Sequence, residues 1–233
     1  MRKANFILAA AMLMVSAAVM AQQSSKVYLT REISPESLVK IYKALGVEAK
    51  GRVAVKMSTG EGSNPNYLKP ELVKNLIWEV DGTIVECNTA YGNGPAGKME
   101  KLDMGKLWTP EFIGNQDGFL ESMAAAAQAV VNYFNKKQGI IYISVMNNMS
   151  IDCDCVDHPE PVKLEDYGIL ASTDPVALDQ ACIDIINQQK VTAKNDPTDL
   201  LKRIDKQHGT HTIDHAAQIG LGSKKYELVN LDL

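Results

Sequence analysis

Two cysteines separated by one residue, Cys153 and Cys155, are the part of the sequence best suited to chemistry. Two thiols at this spacing can point to one side of an extended loop and share a soft metal ion. Asp152, Asp157 and His158 stand beside them and could supply further ligands or charge. The spacing differs from that of a zinc finger, and two cysteines do not complete a tetrahedral site. The alternatives are a strained disulfide between the two cysteines, or exposed thiols without a role.

The remaining cysteines are interpreted from the elements that carry them. A nearly all-apolar strand is predicted at residues 139–146, so the Cys153 pair should lie in a loop beyond its carboxyl end, where open α/β sheets bind ligands. Cys87 should end another strand and is a candidate third metal ligand, with a small core residue as the alternative. Cys182 recurs at helical spacing with Leu178, which predicts a core position.

A second group of candidates follows two other predicted strands. Lys56 belongs to a strand at residues 52–57, and the loop after it carries Glu61 in a sequence that resembles an anion-binding turn without the Gly-Lys-Ser/Thr of a P-loop. Asn88 follows the strand at residues 82–87. Because parallel strands end at one edge of a sheet, Lys56, Glu61 and Asn88 are predicted to share a rim with the cysteine pair and to bind a cofactor or substrate.

Three of the four histidines are close together near the C terminus. His211 and His215 are four residues apart and could share one helix face and one metal ion. The alternative is a pair of exposed side chains, because no acidic or cysteine partner near them in the sequence completes a ligand set.

Strand and helix patterns alternate from residue 26 onward, which predicts an α/β fold in layers, with a mostly parallel sheet flanked by helices. The best helix pattern covers residues 117–134, and Pro residues after Ser34 and Asp174 mark two further helix starts. The length suits a single domain over residues 22–233. The sequence has no Gly-x-Ser-x-Gly or His-Glu-x-x-His motif, so it predicts neither of the enzyme classes that carry them.

Residues 1–21 are predicted to be a cleavable secretory signal peptide. Arg2 and Lys3 precede an apolar run at residues 6–20, and Ala21 supplies the small residue of a cleavage site. We therefore expect an exported, periplasmic or extracellular protein without membrane insertion after cleavage. The formal charge is −4, and losing the two cations of the leader makes it −6. An acidic domain of this kind argues against a nucleic-acid partner.

Five stretches stand out together, in order along the chain: residues 88–92 (Asn-Thr-Ala-Tyr-Gly), 116–123 (Gln-Asp-Gly-Phe-Leu-Glu-Ser-Met), 152–155 (Asp-Cys-Asp-Cys), 168–180 (from Gly-Ile-Leu-Ala-Ser-Thr-Asp-Pro) and 220–223 (Gly-Leu-Gly-Ser). With these stretches the chain resembles the family catalogued as domain of unknown function 362. The resemblance implies an iron–sulfur cluster or another soft metal with Cys153 and Cys155 as ligands, because members of the family are often described as iron–sulfur proteins. It also implies a redox or sensing role, with an unknown small molecule or redox partner.

The chain departs from the family pattern in two places. Longer members carry a glycine-rich stretch with a Lys-Asn pair before the Gln-Asp-Gly-Phe helix, whereas here Gly92 reaches Gln116 through a short, unrelated connection. No segment has the cysteine spacing of a ferredoxin. These departures leave a non-catalytic, small-molecule-binding or degenerate member without a metal as the alternative. A third alternative is an enzyme that uses Lys56, Glu61 and the cysteine pair on an organic substrate.

Overall fold

The computed structural model describes residues 24–58, 60, 64–86, 115–135, 139–153, 156 and 158–233. The elements over these ranges follow the predicted alternation of strands and helices. They are, in chain order, β1 (Ser25–Thr30), α1 (Pro35–Ala44), β2 (Val53–Lys56), α2 (Pro70–Glu79), β3 (Gly82–Val85), α3 (Gln116–Asn135), β4 (Tyr142–Met146), β5 (Gly168–Ser172), α4 (Pro175–Asn187), α5 (Thr198–Lys206), α6 (Gly209–Gln218) and β6 (Tyr226–Asn230).

The strands form a four-stranded sheet in the order β4-β5-β1-β6 and a separate pair, β2-β3. The pair β2-β3 is parallel, and so is β1-β6, but β4-β5 and β5-β1 are antiparallel. The α/β class is confirmed, whereas the prediction of a mostly parallel main sheet was wrong. The physical reason lies in the connection from β4 to β5, which contains no helix among its described residues. A parallel return needs a crossover, usually a helix, and without one the chain comes back antiparallel.

The main sheet is covered by helices on both faces, as the layered description requires. Alternate residues of a strand point to opposite faces, so β5 sends Leu170 to one side and Ile169 to the other. Leu170 packs with the apolar side of α4, including Leu178. Ile169 packs with α1 and α2, where Ile41 is fully buried.

α4 begins at a joint that holds three parts of the chain together. Asp174 caps the helix, because its Oδ1 accepts hydrogen bonds from the backbone N–H groups of Val176 and Ala177 at 2.9 and 3.1 Å. Its Oδ2 accepts from the Ser25 hydroxyl at 2.7 Å and from the Ser223 N–H at 2.8 Å. One carboxylate therefore fixes the start of α4, the start of β1 and the loop before β6.

α3 packs on α6 through one side only. Leu120 and Ala124 are buried there, and Ala124 shares a cluster with Ile213 and Ala216. Apolar side chains elsewhere on the same helix, among them Met123 and Val130, reach solvent. No helix within the described ranges is long and apolar enough to cross a membrane. The signal-peptide prediction concerns residues 1–21, which lie outside the described residues, and it stays a prediction.

Candidate functional site

The loop after β2 and the loop after β4 meet at the side chain of Asn64, which is only 3 % exposed. Its amide nitrogen donates to the carbonyl oxygens of Cys153 and Val156, at 3.3 and 2.7 Å. Its amide oxygen accepts from the Asn66 N–H at 2.8 Å. Because buried polar groups need partners, this amide locks the two loops together. The loop that follows Lys56 therefore contacts the loop that carries Cys153.

Asp152 closes the cysteine loop on itself. Its Oδ2 accepts a hydrogen bond from the Glu160 N–H at 3.1 Å, and its Oδ1 pairs with the guanidinium of Arg203 at 3.2 Å. Arg203 lies on α5, so the loop is also tied to the helical layer. The sequence suggested Asp152 as an additional metal ligand, but both of its oxygens are engaged in holding the loop.

The hydrogen bonds of Asn64 and Asp152 form a frame around the loop, and Cys153 is exposed at the end of this frame. Its carbonyl oxygen accepts from the Val156 N–H at 3.0 Å as well as from Asn64, so two hydrogen bonds hold the backbone at this residue. The predicted partner Cys155 lies outside the described residues, together with its neighbours Asp154 and Asp157. Within the described ranges, no group of three or more His, Cys, Asp or Glu side chains is arranged to hold a metal ion. The ligand roles of Cys153 and Cys155 stay predictions.

A shallow groove of about 420 Å³ lies beside the loop, and His158 is in its wall. The groove is lined by residues 65–66 on one side and residues 158–162 on the other, and three of these seven are prolines. Proline has a fixed φ angle, so the walls have little backbone freedom. The Asn64 and Asp152 contacts hold the two sides at their bases. The groove is an open recess on the loop that also carries Cys153.

The candidates at the ends of β2 and β3 are described only in part. The register pairs Lys56 with Val85, and the Met57 N–H donates to the Val85 carbonyl at 3.2 Å. The two strands thus end together, as the sequence predicts for parallel neighbours. Lys56 is exposed at this edge. Glu61, Cys87 and Asn88 lie outside the described residues, so their predicted roles remain predictions.

Cys182 is part of the core, as the helical spacing predicts. Its side chain packs against the cluster formed by α4 and the main sheet, next to Leu178 and Ile185. Burial raises the pKa of the Cys182 thiol to about 12, and a hydrogen bond with Ser144 opposes the rise. A thiol with so high a pKa is neither a nucleophile nor a metal ligand at neutral pH.

The C-terminal histidines meet carboxylates that the sequence analysis did not connect to them. His208 Nδ1 lies 2.6 Å from Asp117 Oδ1, and His211 Nε2 lies 3.0 Å from Glu121 Oε1. Asp117 and Glu121 are four residues apart on α3, so they face the α6 histidines as two separate pairs. The hydrogen bond from His208 lowers the pKa of Asp117. In the sequence, only the i, i+4 spacing of the two acids hinted at this arrangement. Such a spacing does not identify a partner elsewhere in the chain.

The sequence of this site was compared with known proteins. The family model described as "Domain of unknown function (DUF362)" matches residues 88–184. Over this range the chain is similar to members of the DUF362 family. The DUF362 match contains the Cys153 loop, β4, β5 and the first ten residues of α4, and the resemblance noted from the sequence is confirmed over these residues. A search of curated proteins and a search of solved structures each found no match.

Two stretches that resemble DUF362 most specifically have a structural explanation. Residues 172–175 contain the cap of α4, and residues 220–223 contain the loop that Asp174 binds. Gly222 must lack a side chain, because a Cβ atom there would lie 2.0 Å from Asp174 Oδ1. Only the first of these stretches lies inside the matched range. These residues build the scaffold, and the Cys153 loop is left as the candidate site.

Proposed function

We propose that this protein binds a soft metal ion through the loop between Cys153 and His158, outside the cytoplasm. The observation that carries the proposal is the frame around the loop, in which Asn64 and Asp152 fix both of its ends. A loop already held in shape loses little conformational freedom when it takes a ligand. Cys153 supplies a thiol at the surface of this frame, and thiols select soft metals.

The donor set decides which kind of metal centre fits. An iron–sulfur cluster normally takes four cysteine ligands, and the chain has four cysteines in all. Cys182 is one of them and packs in the core with a pKa raised to about 12. Three remain for any site, so a cluster ligated by four cysteines does not fit a single chain. A mononuclear soft metal held by Cys153 and Cys155, with His158 and Cys87 as further candidates, suits the chemistry of thiolate and imidazole ligands.

The bound metal would supply a redox-active or sensing centre, which is the role implied by the family resemblance. The protein's part is to present deprotonated ligands. Thiols and imidazole must lose their protons to bind, so affinity for the metal should rise with pH over the range in which these groups ordinarily ionise, from about pH 6 to about pH 8.5.

The test is the metal content of the protein purified without oxygen. We expect Cys153→Ser, Cys155→Ser and His158→Gln to lose most of the metal that the unmodified protein retains. Cys182→Ala is the matched control, since it removes a thiol from the core and should keep the metal. Equal metal content in the unmodified protein and both loop cysteine variants would contradict the proposal. Non-reducing mass spectrometry of the same samples detects the alternative, a disulfide between Cys153 and Cys155.

A second candidate function is the binding of a small organic molecule without a metal. The groove with His158 and Glu160 in its walls favours it, because both side chains can form hydrogen bonds with a ligand. In that case, metal-free protein should be stabilised against heat by a ligand from a small-molecule screen, and His158→Gln should abolish the shift. Cys153→Ser should leave the shift unchanged.

Export is a separate part of the proposal and rests on the leader at residues 1–21. N-terminal sequencing of the protein recovered from the periplasm or medium should find Gln22 as the first residue. Recovery of the intact chain, with Met1, from the cytoplasm would contradict export without bearing on the metal site.

A further inference from the structure

Trp78 is 75 % exposed, although it stands on a helix that packs tightly against the core. Val73 and Leu76 on the same helix, α2, are buried against α1 and the main sheet. Single exposed apolar side chains are common on soluble proteins and need no explanation by themselves. Trp78 differs because its indole borders a groove that also contains two carboxylates held in place by neighbouring side chains.

The groove runs between α1 and α2 and has a volume of about 480 Å³. Glu36 and Val39 line it from α1, and Asn75, Trp78 and Glu79 line it from α2. It is on different elements from the Cys153 loop, and nothing in the metal proposal depends on it.

The two carboxylates of the groove are positioned by contacts between the helices. The Asn75 amide nitrogen donates to Glu36 Oε1 at 3.0 Å. Lys43 Nζ lies 2.9 Å from Glu79 Oε1. Each of these contacts uses the Oε1 atom of its carboxylate, so the other oxygen remains a possible acceptor for a ligand. The side chains are ordered before a ligand arrives, which reduces the entropic cost of binding.

The charge and the aromatic surface together define the ligand. The lining residues carry two carboxylates, and Lys43 offsets the charge of Glu79, so the negative charge is concentrated at Glu36 and favours a cation over an anion. The face of an indole attracts a cation through its negative quadrupole, and tryptophan is the best of the aromatic residues for this contact. Val39 adds apolar surface for the carbon atoms of the ligand.

We propose that the α1–α2 groove binds a small organic cation of the alkylammonium class. The alkyl groups contact Trp78 and Val39, and the positive charge is held near the carboxylates, above all that of Glu36. A metal cation would gain nothing from the valine surface, and a neutral molecule would gain no charge attraction from the carboxylates.

The experiment compares choline with its neutral isostere, 3,3-dimethyl-1-butanol, by saturation-transfer-difference NMR on the full-length protein. We expect saturable binding of choline and much weaker binding of the alcohol. Trp78→Ala should weaken choline binding about two- to fivefold, the size of an exposed cation–π contact. The double variant Glu36→Gln/Glu79→Gln should bind choline more weakly and bind the alcohol as well as the unmodified protein does. The control is Val191→Ala, which trims another exposed apolar side chain outside the groove.

Three outcomes would overturn the proposal: no binding of choline, equal binding of choline and the alcohol, or unchanged choline binding by Trp78→Ala. Circular dichroism of each variant checks that it is folded, and an exposed indole should be removable without loss of the fold. A peptide containing trimethyllysine tests the same chemistry on a protein side chain. If that peptide binds more tightly than choline, and Trp78→Ala loses this binding, the ligand of the groove is a cation on a protein side chain. That result would overturn the proposal of a free small cation.

Discussion

The side-chain amide of Asn64 donates a hydrogen bond to the carbonyl oxygen of Val156, 2.7 Å away and 92 positions later in the chain. Through this contact, a residue of the β2–α2 loop determines the shape of the loop that carries Cys153. The same amide also donates to the Cys153 carbonyl, at 3.3 Å. The shape of the candidate site therefore depends on Asn64, a residue that is not itself a candidate for catalysis or metal binding.

Removing this amide should loosen the cysteine loop. Asn64→Ala removes one donor from the Cys153 carbonyl and the Asn64 donor from the Val156 carbonyl, and it should lower the free energy of unfolding by about 1–3 kcal/mol. Urea denaturation measures that loss, and hydrogen exchange should show faster exchange of the Val156 and Glu160 amides. Asn132→Ala, at an exposed asparagine of α3, is the control and should change stability by less than about 0.5 kcal/mol. Unchanged exchange at Val156 in Asn64→Ala would contradict the assignment.

Asp174 holds three segments together, so we expect substitution of the neighbouring Gly222 to lower stability unusually strongly. Gly222→Ala puts a methyl group 2.0 Å from Asp174 Oδ1, so the loop or the cap of α4 must move. We expect a loss of about 2–3 kcal/mol, the sum of overpacking and a weakened cap. Gly220→Ala is the control, because its added methyl group meets nothing within 4 Å and only its φ of +79° is unfavourable. That strain should cost about 1 kcal/mol.

A double-mutant cycle separates this contact from general strain in the loop. In an Asp174→Ala background the carboxylate that obstructs the methyl group is absent, so Gly222→Ala should cost much less than in the unmodified protein. Additive losses in the double variant would show that the Gly222 requirement comes from somewhere other than Asp174.

Two tyrosines should respond in opposite ways to loss of their hydroxyl groups. Tyr142 Oη is buried and has no hydrogen-bond partner among the described residues, and burial raises the pKa of this phenol. Tyr142→Phe should therefore be neutral or stabilise the fold by up to about 1 kcal/mol. Tyr226 Oη donates to Asp184 Oδ2 at 2.8 Å, so Tyr226→Phe should cost about 1–3 kcal/mol. Urea denaturation of both variants makes the comparison, and equal losses would contradict it.

The side-chain carboxylate of Asp232 should make stability depend on pH in the acidic range. The Arg31 N–H donates to it at 2.6 Å and the Thr30 hydroxyl at 2.8 Å, and these bonds lower its pKa below the ordinary value of 3.8. Because the folded pKa is the lower one, this stabilisation is complete above about pH 3.8 and disappears as the pH falls through the folded pKa. Asp232→Asn should therefore reduce stability at pH 6 more than at pH 2.5, as measured by thermal unfolding.

The control for the pH series is Asp205→Asn, at an exposed carboxylate near the end of α5. Its effect on the melting temperature should be small at both pH values. If the difference between the unmodified protein and Asp232→Asn were the same at pH 6 and pH 2.5, the carboxylate would not be the group that carries the pH dependence.

Local features of the structure could be read from the sequence. The helix starts at Ser34-Pro35 and Asp174-Pro175 are present as predicted, since a cap and a first-turn proline act within four residues. The core position of Cys182 followed from its spacing with Leu178 and Ile185, because helical periodicity alone decides which residues share a face. The α/β class followed from the alternation of such patterns along the chain.

The tertiary structure alone decided the order and direction of the strands and the partners of the polar side chains. β1 pairs with β5, some 140 residues later, and no local preference encodes that choice or its antiparallel direction. The pairs Asn64–Val156 and Asp117–His208 are likewise distant in sequence. Backbone preferences and periodicity depend on a few neighbouring residues, whereas such contacts form only where the burial of apolar faces brings separate segments together. For this reason the sequence identified the Cys153 loop as a candidate site, but the frame that holds it became visible only in the folded chain.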